Sequence, residues 1–518
     1  MKPLLRRLSP IALLALCLLA GASPRTQAGA TAAPSEKPDL VLHGRIDGSD
    51  NHSYRELPFD VPAGTSRITV QFDYSGHARE HTAIDLGLLG PGGFRGQDGF
   101  RGWSGGSKRL FTVATTDATP SYLPGAIPAG RWNLLLGIPN IRPHSHASYT
   151  ARLWFNRADD PAWEPAVLNP PLKRAAGWYR GDLHMHTAHS DASCASQDGR
   201  RVPCPLFLTV EAAVKQGLDF IAVTDHNGLS QFDEMRELQP YFDRLLLIPG
   251  REITTFSGHA GLLGTTAPVD FRVDGSHVKS WNALLDAIAP LHALISINHP
   301  IRPSGEACMG CGWTPDPPVD MARVQAIEIV NGVDAGTPDS GLPFWERQLA
   351  RGYRPTGIGG SDNHDATQPT DRAGSNRIGR PTTVVYAPEL SMRAILAGIR
   401  AGHVFVDTEG SRDRLLELTA DSGGRHAMMG DAIRVAAGQR VRFGIHVAHV
   451  AGKRLRVLLD GRPLASPAID AAIHGDDQRD RVDWTGDGRR HWLRVEVDDD
   501  DGKPLLIGNP VYVEPARA

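Results

Sequence analysis

Asp182-Leu183-His184-Met185-His186-Thr187, followed by Ser190-Asp191, is the stretch on which the reading of this chain turns. It closes a short apolar run. Two histidines two positions apart leave the same side of an extended strand, which is what a single metal ion needs from two imidazoles. Similar clusters recur downstream: Thr224-Asp225-His226-Asn227, Glu252 followed by His259 in the run Gly258–Gly264, Asn298-His299-Pro300, and Ser361-Asp362-Asn363-His364. A lone His-x-His or Asn-His-Pro is an ordinary accident of sequence. Five strand ends, each carrying His or carboxylate, are not.

The segment around these clusters, 175–388, alternates short β-rich runs with helical stretches, as βα units require. Candidate strands end near Leu183, Thr224, Pro249, Leu263, Asn298, Val330 and Gly360, with helix-like segments at Thr209–Gln216, Trp281–Ile288 and Leu342–Arg351. The fold class expected is therefore α/β, with seven βα units in a closed or nearly closed parallel barrel. The C-terminal strand ends of such a barrel share one rim, so residues far apart in sequence converge there.

The flanks read differently. From 39 to 158 the pattern has period two, with Ile68, Val70, Phe72 and Tyr74 on one face and Tyr149, Ala151, Leu153 and Phe155 on another. Gly/Pro-rich turns between such runs predict an N-terminal β-sandwich of jelly-roll type. Phe94, Phe100 and Trp103 in Gly92–Gly106 are either ligand-gripping aromatics or a loop packing on itself. A Pro-rich connector, Pro161–Pro171, precedes the middle segment. Residues 413–516 return to alternation and predict an immunoglobulin-like sandwich. Its Asp498–Asp501 run fits a charged hairpin tip better than a calcium site.

With 518 residues the chain is too long for one core, and about three domains of ~150 residues each are expected. Formal net charge is −3 with 22% charged residues, which gives no basic stripe for nucleic acid. Lys2, Arg6 and Arg7 followed by the apolar run Ile11–Ala20 read as a signal peptide within 1–30, with small residues at Ala20-Gly21-Ala22 and Ala28-Gly29-Ala30 as cleavage sites. The run falls short of the ~20 residues that span a bilayer, so no stable membrane insertion is expected and the protein should be periplasmic or secreted. Arg6-Arg7 also permits a twin-arginine route. Cys194, Cys204, Cys308 and Cys311 then suggest two disulfides, Cys194–Cys204 and Cys308–Cys311, with a four-cysteine zinc site or a redox-active Cys308–Cys311 pair as alternatives.

The quoted clusters resemble the successive motifs of the PHP (polymerase and histidinol phosphatase) superfamily. The run Gly258–Gly264 and the C-terminal Asn509-Pro-Val-Tyr-Val513 are similar to its CehA/McbA branch. The resemblance implies a distorted (β/α)7 barrel with a trinuclear metal centre. His184, His186, Glu252 and Asp362 would hold one metal, and Glu252 would bridge to a second held by His259 and His299. Asp191, His226 and His364 would hold the third. The sequence departs from the pattern at the insertions that carry Cys194–Cys204 and Cys308–Cys311, both at the rim.

A mixed nitrogen and oxygen donor set suits zinc, manganese or iron. Such ions activate water for attack on a phosphorus or carbonyl centre. Asp225 is read as a residue that orients a ligand. His189 is a candidate proton donor to the leaving group, against a solvent-facing loop histidine. Arg302 is a candidate partner for an anionic small-molecule substrate, against a surface salt bridge, with Arg377 and Arg380 farther from the motifs. The expectation is an exported metal-dependent phosphoesterase. A carbamate, ester or amide hydrolase is the alternative that the CehA/McbA resemblance implies, and a non-catalytic glycan or cell-surface binding protein is the alternative of another class.

Overall fold

The structure is a computed structural model that describes residues 37–94, 99–159, 170–306, 308–368, 375–464 and 471–516. The expected signal peptide (1–30), most of the Pro161–Pro171 connector and part of the Gly92–Gly106 stretch lie outside the described residues. Among the described residues no helix is long and apolar enough to cross a membrane. The architecture is mixed α/β but dominated by strands.

In the N-terminal third, alternation turns one side of each strand inward. Leu40–Asp47, His146–Asn156, Arg67–Tyr74 and Leu110–Ala114 form one four-stranded antiparallel sheet. Ser53–Val61, Gly130–Asn140, Ala83–Leu89 and Phe100–Gly105 form the other. Ile68, Val70 and Phe72 of the first pack with Leu86, Trp132 and Leu134 of the second, all fully buried. Each such side chain contributes about 1.5–3 kcal/mol by leaving water. Inside this unit Asp117 pairs with Arg67, both buried, and Arg236 from the middle of the chain reaches the same carboxylate at 3.7 Å, which ties the two together. Nearby, the amide of Ala118 donates to the Asp233 carboxylate at 2.9 Å.

The middle of the chain supplies β1 (Gly177–Asp182), β2 (Phe220–Val223), β3 (Leu246–Thr255), β4 (Gly258–Leu263), β5 (Leu294–Ile297), β6 (Ala326–Asn331) and β7 (Thr356–Gly360), which neighbour one another in chain order. Six of them end within one residue of the expected position, while β3 runs on to Thr255 past the expected end near Pro249, and the regular repeat of seven βα units does not form. β4 runs antiparallel to both β3 and β5, while β1, β2 and β3 are parallel, as are β5, β6 and β7. Only Phe256 and Ser257 separate β3 from β4, and two residues make a hairpin; a parallel crossover needs a dozen or more. The α-helices between these strands are α1 (Leu206–Gln216), α2 (Gln231–Leu238), α3 (Trp281–Ile288) and α4 (Leu342–Ala350). Among the described residues, β5 passes to β6 without one.

Among the described residues, backbone pairing joins the two ends of this run just beyond β1 and β7. There Met185 and Asn363 form a parallel bridge, the Asp362 amide donates to the His184 carbonyl at 2.8 Å, and the His186 amide donates to the Asn363 carbonyl at 2.9 Å. The sheet is therefore drawn together at one rim, which carries the first and last of the motifs.

On the other side of β1 the sheet continues. β8 (Thr382–Ala387) pairs antiparallel with β1, β9 (Val404–Asp407) with β8, and Pro504–Gly508 with β9. The stretch between 388 and 413, outside both expected domains, holds α5 (Met392–Ala401) and β9 and joins them. One sheet of the C-terminal segment is thus hydrogen-bonded into the middle sheet, giving fifteen strands among the described residues. A separate four-stranded sheet covers it, with Leu416, Phe443 and Val482 packing on Val457, Val495 and Leu506. Both cysteine pairs are disulfides, and Cys194–Cys204 staples the small hairpin of Ser193–Ala195 and Arg201–Pro203.

Candidate metal centre

The rim is built from the first strand upward. Asp182, at the end of β1, is fully buried, and its carboxylate accepts from the amides of His184 (3.2 Å), Ser361 (2.9 Å) and Gly379 (2.8 Å). It thereby fixes the β1 tip against the β7 tip. Burial pushes its pKa up to about 6, opposed by those amides. Gly360 lets the two tips touch: a side chain there would meet His184 Cβ at 2.4 Å and Glu328 Oε1 at 2.5 Å. Asn227, His299 and Asp362 turn at positive φ (50°, 26° and 50°). Backbone strain of this kind at non-glycine residues clusters at functional sites.

Glu252 of β3 is the hub. It is 1% exposed, and its carboxylate lies 3.3 Å from His184 Nε2, 2.9 Å from His226 Nδ1, 3.6 Å from His259 Nδ1 and 3.1 Å from His299 Nε2. Asp362 Oδ1 lies 3.2 Å from His186 Nε2, 3.5 Å from His184 Nε2 and 3.6 Å from His364 Nδ1. Asp191 spans His226 Nε2 (3.8 Å) and His364 Nε2 (3.4 Å) at the more open side. The structure thus brings together all nine residues singled out as candidate ligands.

The electrostatics follow from this crowding. Burial alone would raise Glu252, but the surrounding imidazoles, His184 foremost, outweigh it and hold the carboxyl well below its usual range. Asp362 is lowered in the same way, with His184 and His186 overcoming burial. Burial likewise opposes charge on His184, yet Glu252, Glu328 and Asp362 raise its pKa well above the ordinary value. His186 goes the other way, to about 4, because burial and the neighbouring His364 and His184 disfavour a second cation.

Three further residues were expected to act on substrate or ligands. Asp225 accepts from the Thr187 amide (2.7 Å), the Thr187 hydroxyl (2.8 Å) and the Ser190 hydroxyl (2.6 Å), so it holds the turn that carries Asp191. Arg302 donates to Asp362 Oδ2 at 2.9 Å and also to Asn331, so its guanidinium is committed to a residue of the cluster. His189 has both ring nitrogens engaged outside the cluster, with Ser230 Oγ at 2.8 Å and Glu234 Oε2 at 2.9 Å. Glu234 also raises its pKa.

Sequence reading missed Glu328. Its Oε1 faces His184 Nδ1 at 3.0 Å, and its Oε2 accepts from the His299 amide (2.9 Å) and the Asn331 side chain (3.0 Å). It therefore turns His184 so that Nε2 points at Glu252. The signal was present: a lone carboxylate in the apolar strand Ala326-Ile-Glu-Ile-Val-Asn331.

The donors fall into overlapping groups whose ligand atoms lie within 4.8 Å of one another: His184, His186 and Asp362; His184, Glu252 and His299; His186, Asp191, His226 and His364; and His259, His299 and Cys311. His259 Nδ1 and His299 Nδ1 are buried without a hydrogen-bond partner. Buried polar atoms are ordinarily paired, and orphaned imidazole nitrogens on two rings that both border Glu252 fit coordination to a divalent cation.

No family model and no curated protein matches the chain. Among solved structures it is similar to a two-domain protein containing a predicted PHP-like metal-dependent phosphoesterase from Bacteroides vulgatus ATCC 8482. The identity is 18% and the TM-score 0.37, over 65% of this chain and 96% of that one.

Proposed function

We propose that this protein is an exported metal-dependent hydrolase that acts on phosphoesters through a multinuclear centre at the closed rim, in a distorted (β/α)7 barrel of PHP type. The observation that carries the reading is Glu252, 1% exposed, within 3.6 Å of ring nitrogens from four histidines. Burying so many ionisable groups together costs several kcal/mol unless they pair with one another or coordinate a metal. Export rests on the basic start and the apolar run Ile11–Ala20.

Zinc, manganese or iron ions, three by the motif resemblance, would supply a hydroxide at neutral pH and neutralise charge that develops on the oxygens of the scissile group. The chain's own residues do the rest. Glu252 and Asp362 gather the imidazoles into one cluster, and Glu328 fixes the ring of His184. Arg302 holds Asp362 in place, while Asp225 fixes the turn that presents Asp191 beside His226 and His364. The alternative, carbamate, ester or amide hydrolysis, is favoured by one observation: Arg302 is already spent on Asp362 and Asn331, which leaves less positive charge for a phosphate.

The test is turnover by protein reconstituted with each metal, on phosphate monoesters, phosphate diesters and aryl carbamates, with His184→Ala as control. Phosphoester turnover that the variant loses is the expected result. Turnover of carbamates alone would move the assignment to the alternative, and no turnover of any substrate would remove the hydrolase reading.

A further inference from the structure

Cys311 stands apart from the expected ligand set yet sits inside it. Its residue is fully buried, and Sγ lies within 4.8 Å of a ring nitrogen of His259 and one of His299. The segment that carries it folds over the β3–β4 hairpin. Gly310 turns at φ +77°, where a Cβ would stand 2.2 Å from the Thr255 carbonyl oxygen, and His259 Nε2 lies 3.3 Å from the Met309 carbonyl oxygen. Its disulfide partner Cys308 is only partly buried, and Met309 between them is 73% exposed. The bond therefore has one end towards solvent and the other against two imidazoles whose Nδ1 atoms have no hydrogen-bond partner. As a staple it gains little, because it joins residues only three apart and the loop-closure benefit grows with loop length.

We infer that Cys308–Cys311 is a redox-controlled metal ligand, an inference that rests on the metal-centre reading above. A dithiol reductant transfers two electrons and two protons: the S–S bond breaks, two protein thiols form, and the reductant becomes a disulfide. Cys311 then loses its proton to solvent as its sulfur joins His259 and His299 on a divalent ion. A disulfide oxidant reverses the exchange: it takes up two electrons and two protons to become a dithiol, the Cys308–Cys311 S–S bond re-forms, and the thiolate is withdrawn from the ion. A soft sulfur donor added to two imidazoles shifts this position towards zinc or cobalt over manganese.

Cobalt(II) is the probe. Oxidised wild type should show visible cobalt absorption without a thiolate-to-cobalt charge-transfer band in the near ultraviolet, and a dithiol should bring that band in. Cys308→Ser should show the band without reductant, and Cys311→Ser should lack it in either state. Visible cobalt absorption with no charge-transfer band in reduced wild type and in Cys308→Ser would overturn the switch and leave the metal centre standing. No cobalt absorption in any of the proteins, with circular dichroism showing them folded, would overturn the metal centre and the switch with it.

Discussion

Replacing Glu328 by Gln keeps the size of the side chain and removes its charge, which makes it the sharpest probe of how the rim is organised. The carboxylate faces three groups at once: His184 Nδ1 at 3.0 Å, the His299 amide at 2.9 Å and the Asn331 side chain at 3.0 Å. A Gln oxygen can serve His184 or the other two, but not all three, and its NH2 then confronts at least one donor. Each charge-assisted bond lost is worth about 1.5–3 kcal/mol. Part of that loss falls on the free protein, and the share felt by bound metal is the loss of an oriented His184. Outer-shell changes of this kind typically cost 10–100-fold in metal affinity, or about 1.4–2.7 kcal/mol. The assay is competition between protein and a chromophoric chelator for zinc at fixed pH, with circular dichroism of the metal-free protein to show that the fold persists. Unchanged affinity in a folded Glu328→Gln protein would refute the orienting role.

Three other outcomes follow from the same geometry. Asp117→Asn breaks a buried pair with Arg67, both side chains no more than 3% exposed, and should cost about 3–5 kcal/mol in urea unfolding. Because the folded pKa of Asp117 is lowered, its contribution is present above the unfolded carboxylate value near ~3.9 and is lost as pH falls through the folded value, so wild-type stability should drop more steeply than the variant's in that acid window. Cys204→Ser opens a disulfide with sequence separation 10 and should lower stability by about 2–3 kcal/mol, read from the denaturation midpoint. Gly360→Ala forces a methyl group onto His184 and Glu328 at 2.4 and 2.5 Å and should cost about 1–3 kcal/mol, with zinc affinity in the chelator competition falling too; a wild-type melting temperature and affinity would show that the tips can part freely.

Much of the site was legible because strand-end chemistry is local. His184 and His186 declare themselves by spacing, and Asp362 and His364 by their place after a glycine-rich strand. The structure adds what one-dimensional pattern does not carry. The hairpin of β3 and β4 depends on the shortness of the Phe256-Ser257 link, and reading Leu263 as one more βα unit hid the reversal of direction. The joining segment 389–412 had its own signals: Ser391 caps α5 by accepting from the Ala394 amide, and Gly402 ends it. The pairing of β9 with Pro504–Gly508 had none, since it links residues about a hundred positions apart. Arg302 illustrates the limit of a single residue type, because one guanidinium beside a motif serves a substrate or a neighbouring carboxylate equally well until its partners are known.

The central claim, that the buried cluster around Glu252 and Asp362 is a multinuclear metal site, meets its most direct test in elemental analysis of the purified full-length protein, alongside His184→Ala and Glu252→Gln. The account predicts more than one tightly held equivalent of zinc, manganese or iron per chain in the wild type, and a marked loss in both variants while the fold is retained. Less than one equivalent in wild-type protein after reconstitution would contradict it.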